Sequence, residues 1–107
     1  MDTLNWDKNF ALDQTADDEE LLKELLEIFK DSFQSDLQII KQGLAEGSAS
    51  RISAAAHSIK GAAASLGFLG INEIATQVEK DSRDGGLAVA HEKIEDLQNL
   101  LLKIQAL

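Results

Sequence analysis

Seven apolar residues, Leu22, Leu26, Phe29, Phe33, Leu37, Ile40 and Leu44, recur along the chain at spacings of three and four. That period belongs to an α-helix, so the segment presents one continuous apolar stripe down one side of a long helix. A stripe of this length needs other helices beside it, because helices are marginal in isolation and in proteins draw most of their stability from packing such a face. The chain contains no proline that would interrupt helices of this kind. Leu21, Leu25 and Ile28 form a second apolar strip beside the first.

The flanking punctuation supplies the partners. Within "QTADDEELL", Thr15 is the expected N-cap of the long helix. Asp17, Asp18, Glu19 and Glu20 then fall in the first turn, where the helix dipole favours acids. Gly47 is the expected stop. Ser48 or Ser50 caps a second helix that runs to about Ser65 and ends at Gly67. A third runs from about Phe68 to Arg83, with Ile71, Ile74, Ala75 and Val78 inward, until "RDGG" breaks it. A fourth runs from about Leu87 to the end, with Leu87, Ala90, Ile94, Leu97, Leu101 and Ile104 inward. Upstream, "TLNWDKNFALD" is a short amphipathic piece whose Leu4, Trp6, Phe10 and Leu12 cover one end of the bundle, with the Leu21–Leu25–Ile28 strip as its expected seat. The expected fold is all-α: an antiparallel, up-down-up-down four-helix bundle with a short extra N-terminal helix, in one domain spanning 1–107.

Several function classes drop out. There is no cysteine for disulfides or thiolate metal sites. A net charge of −9 without a basic stripe argues against nucleic acid as a partner. No apolar run approaches the roughly 20 residues that span a bilayer. "MDTLNWDKNF" lacks the basic start and apolar core of a signal peptide, so a cytoplasmic location is expected.

The second helix is unusual face by face. At about 100° per residue, Ile52, Ala55, Ala56, Ile59, Ala63 and Leu66 share the inward side. His57 lies well away from it, surrounded by Ser53, Ala54, Lys60, Gly61 and Ala64. Solvated helix faces carry long charged side chains; this one is nearly bare around one imidazole. A glycine inside a helix costs about 1 kcal/mol relative to alanine. Gly61, one turn from His57, therefore reads as clearance for the close approach of another protein. The plainer alternative is an alanine-rich face with an incidental exposed histidine. Leu25, Ile28 and Phe33 either join the docking surface or belong to the core. His91 has no comparable surroundings and reads as a surface residue. His57 and His91 show no metal-ligand spacing, so no metal site is expected. No phosphate-binding G-x-x-x-x-G-K-[ST] loop and no G-x-S-x-G elbow occurs.

"AAAHSIKGAAASLGF" resembles the signature of histidine phosphotransfer (HPt) domains, His-x-x-Lys-Gly with a further glycine six residues on; His57, Lys60, Gly61 and Gly67 match it. "WDKNFALDQTADDEELLKELLEIFKDSF" is similar to the lead-in and first long helix of these domains, and "LGFLGINEIATQVE" to the helix after the signature. The resemblance implies a stoichiometric phosphocarrier without its own ATP site rather than an enzyme. His57 would accept phosphoryl at Nε2 from a receiver-domain aspartate and pass it to another receiver. The alternative it leaves open is a phosphoacceptor domain phosphorylated directly by an ATP-dependent histidine kinase. Implied partners are response-regulator receivers or a hybrid histidine kinase, docking on Ser53, Ala54, Gly61 and Ala64. No cofactor is implied on this chain; Mg2+ belongs in the receiver. Lys60 would lie beside the phosphoryl oxygens, or be an ordinary solvated lysine. Glu79 falls where family members place a Glu or Gln that holds Nδ1–H of the histidine, or it is a plain surface acid. An open docking face and the acidic charge together lead to the expectation of a monomer.

Overall fold

The computed structural model describes residues 4–107; Thr3, the first residue of the N-terminal amphipathic piece, lies outside them. Five helices follow one another: α1 (Lys8–Gln14), α2 (Glu19–Glu46), α3 (Ala49–Ser65), α4 (Leu69–Arg83) and α5 (Ala88–Gln105). Short turns reverse the chain between successive long helices. α2 packs on α3 and α5, and α4 packs on the same two, which closes a ring of four antiparallel helices. At 1.5 Å per residue a helix of 28 residues is about 42 Å long, and the long axis of the molecule measures 42 Å, so α2 sets its length.

The apolar stripes meet along the bundle axis. Phe33, Leu37 and Ile40 from α2 face Ile52 and Ile59 from α3, Ile71 and Val78 from α4, and Leu97, Leu100 and Ile104 from α5, all essentially without solvent contact. The inward set read for α3 is buried in full. Phe33 belongs to this core and is no part of a docking surface.

The cap of α2 differs from expectation. Asp18, not Thr15, caps it, accepting a hydrogen bond from the Leu21 backbone N–H at 3.1 Å. Ala16 and Asp17 both take positive φ, 53° and 62°, so the chain turns left-handed between α1 and α2. That turn leaves Thr15 at the end of α1, where its buried hydroxyl donates back to the Leu12 carbonyl at 3.1 Å. Only Glu19 and Glu20 remain in the first turn of α2. Gly47 closes α2 at φ 69°, and Ser48 rather than Ser50 caps α3. Asp81 caps α5 from the preceding helix, its carboxylate accepting from the Val89 N–H at 3.2 Å.

The N-terminal segment also takes another seat. It does not cover the Leu21–Leu25–Ile28 strip, which leaves Ile28 63 % exposed. It lies instead across the α3–α4 turn, through backbone bonds from Asp7 N to Gly67 O, Leu69 N to Asn5 O and Gly70 N to Leu4 O. The Trp6 indole donates to Leu66 O at 2.9 Å and stacks on Phe68 with centroids 5.1 Å apart. Phe68 stacks in turn on Phe29 at 5.4 Å, tying the segment into the core. Gly67 permits this seat: its φ is 76°, and a Cβ there would lie 2.5 Å from the Asp7 carbonyl oxygen.

Candidate functional site

α3 holds His57 on its outward side because Ala56 and Ile59, on either side of it in the sequence, are committed to the core. The imidazole side chain is 68 % exposed. Ala54, Gly61 and Ala64 are exposed on the same helix and Ser53 is half-buried. Apart from the backbone of its own helix turn and its chain neighbours, nothing lies within 4 Å of where a Cβ on Gly61 would sit, so packing against the rest of the fold places no demand for glycine there. A groove of about 600 Å³ opens beside the imidazole, lined by Ala49, Ser53, Ala54, His57, Arg83 and Gly85.

Beneath His57, α4 supplies Glu79, only 4 % exposed. A carboxylate this deep must be paired, and three cationic or protic groups surround it. Lys60 Nζ donates to Oε1 at 2.5 Å, His57 Nδ1 lies 2.6 Å from Oε2, and Arg83 Nη2 lies 2.9 Å from the same Oε2. The Lys60 hydrogen bond is the main cause that holds the Glu79 pKa down at about 2, from an ordinary 4.5; burial opposes it, and His57 and Arg83 assist. Glu79 is therefore ionised and can only accept, which makes Nδ1 the protonated ring nitrogen and leaves the lone pair on Nε2. On the α2 side of α3, burial raises the Asp36 pKa above its ordinary value, against a hydrogen bond from Ser58.

Because the folded-state pKa of Glu79 is depressed, its ionisation stabilises the fold fully above the unfolded value. That stability is lost as pH falls from 4.5 towards 2. Glu79→Gln should remove this dependence. Urea midpoints measured across that interval should fall more steeply with acid for the parent than for the variant; parallel slopes would contradict the assignment.

The structure thus brings His57, Lys60 and Glu79 together, with Lys60 turned onto Glu79 rather than outward. Ile28 is exposed and Leu25 half-buried, further along α2. His91 is exposed on α5, and no group of three or more His, Cys, Asp or Glu that could hold a metal occurs among the described residues. No helix among them is long and apolar enough to cross a membrane. Two residues of the site went unread in the sequence. Arg83 follows Glu79 by four positions, a helical pairing distance that was available as a signal. Asn72 donates from Nδ2 to the Lys60 carbonyl at 3.1 Å, and nothing in the sequence marks it before α3 and α4 are packed.

The family model described as Hpt domain matches residues 24–107. A search of curated proteins finds no match. Among solved structures, the chain is similar to the crystal structure of the HPT domain from the Hpt sensor hybrid histidine kinase from Shewanella. The identity is 16 % and the TM-score 0.79, over 98 % of this chain and 94 % of that one, which shows a common fold.

Proposed function

This chain belongs to the Hpt domain family, phosphocarrier modules of phosphorelays, and from that premise we propose that His57 is its phosphoryl carrier. In this reading His57 accepts the group at Nε2 from an aspartyl phosphate of a receiver domain and delivers it to the aspartate of another. The supporting observation is an exposed imidazole whose Nδ1 is held by an ionised, buried carboxylate. The Nε2 lone pair attacks phosphorus; the bond from phosphorus to the aspartate oxygen breaks, and the carboxylate leaves with the electron pair. With Nδ1–H retained, the ring becomes cationic, and Glu79 balances it. Lys60, one turn along α3, leaves Glu79 Oε1 and turns outward to offset the charge of the transferred group. Mg2+ serves the acidic pocket of the receiver, and this chain supplies no cofactor. In this reading the protein works as a monomer, because the face around His57 has to open onto the partner.

The test is a screen of phosphorylated receiver domains for transfer to this chain. Label that reaches the chain in an acid-labile form supports the reading, and failure of every receiver to transfer overturns it.

Gly61 separates docking from folding. Gly61→Ala should stabilise the helix by about 1 kcal/mol or leave it unchanged, since the helix loses the glycine penalty and the new methyl meets nothing. Gly61→Gln should fold equally well yet slow transfer by crowding the partner. Thermal melts with stopped transfer time courses check both, and a normal transfer rate for Gly61→Gln would refute the clearance role.

A further inference from the structure

The two oxygens of Glu79 are unequally loaded. Oε1 serves Lys60, whereas Oε2 serves both the imidazole, at 2.6 Å, and the Arg83 guanidinium, at 2.9 Å. Arg83 sits one turn beyond Glu79 on α4, is 65 % exposed, and lines the groove beside His57. Its charge is permanent at any working pH. We infer that Arg83 sets the share of phosphoryl that His57 holds at equilibrium, by competing with the imidazole for Oε2 of Glu79. The inference rests on the phosphoacceptor reading of His57.

Forming the Nε2–phosphorus bond while Nδ1 keeps its proton turns a neutral ring into a cation. The ring therefore needs the carboxylate more in the phosphorylated state than in the free one. A second cation on the same oxygen weakens what that oxygen offers the ring, and does so most where the demand is greatest. Arg83 thereby favours release of the group to a partner. It is a positioning residue acting through Glu79. Direct contact with the phosphoryl oxygens would have the opposite sign, since it would favour the loaded state.

The sign can be read without a receiver. The protein is brought to equilibrium with imidazole and N-phosphoimidazole, so that phosphoryl-His57 plus imidazole exchanges with free His57 plus N-phosphoimidazole. The ratio of loaded to free protein is read by phosphorus NMR. Arg83→Gln should raise that ratio about two- to fivefold, the size expected for an exposed ion pair. Arg83→Lys, which keeps the charge, should stay near the parent. In a Glu79→Gln background, Arg83→Gln should change nothing. An unchanged or lowered ratio for Arg83→Gln overturns the inference, and so does an equal rise in the Glu79→Gln background. If the parent does not load at His57 at all, the phosphoacceptor reading falls and takes this inference with it. Loading with equal ratios removes the inference alone.

Discussion

His57→Gln should abolish labelling by a phosphorylated receiver and leave the bundle folded. The side chain is 68 % exposed and contributes one hydrogen bond, to Glu79, which keeps Lys60 and Arg83 as partners. Losing one hydrogen bond to a charged group costs about 1.5–3 kcal/mol, below the roughly 5–15 kcal/mol of a typical domain. A glutamine amide can still donate to the carboxylate, yet it offers no nucleophilic nitrogen. The rate should therefore fall to background, with circular dichroism and the melting midpoint close to the parent. In the parent the label should be labile in acid and stable in alkali, as expected of a phosphoramidate. The neighbouring Ser58 would give an ester with the reverse behaviour. Label on His57→Gln, or label that survives acid, would defeat the assignment.

The largest effect on stability is expected at Phe68. Phe68→Ala should destabilise the fold by about 3–5 kcal/mol, the range for removing a buried aromatic ring. The ring has no solvent contact and is stacked between Trp6 and Phe29, at 5.1 and 5.4 Å between centroids. Its loss leaves a cavity and also removes the surface on which the N-terminal segment rests. Urea unfolding should show a lowered midpoint, accompanied by increased exposure of Trp6 in fluorescence. Below the melting transition His57 should still transfer, because the site lies on the other face of α3. A loss under about 1 kcal/mol would mean that the ring is not the anchor described.

The bundle was legible wherever side-chain periodicity decided the outcome. The α2 stripe is buried from Leu22 to Ile40 with Leu44 half-buried at its end, the α3 inward set is buried, and Gly47 stops α2 where it was expected. The N-terminal segment was misplaced because its seat is made by backbone bonds to Gly67, Leu69 and Gly70, which leave no apolar period to read. The cap of α2 was misread because "TADD" holds three residues able to cap. The choice among them came from left-handed backbone at Ala16 and Asp17. At the site, the outward position of His57 follows from its angle to the core face. The burial of Glu79 does not follow from the sequence, because a lone glutamate in a helix reads as solvated. Only packed α3 and α4 bring Lys60 and His57 to it, with Arg83 added from its own helix.

The seat of the N-terminal segment imposes an order of events during synthesis. Trp6 bonds to Leu66, sixty positions away, and its stacking partner is Phe68. During synthesis this segment is thus without its partners until the α3–α4 turn has been made. The long helices meet sequence neighbours and can pair as they emerge, an arrangement of the kind that speeds folding. The segment ahead of α2 can therefore dock only once the α3–α4 turn that receives it has formed.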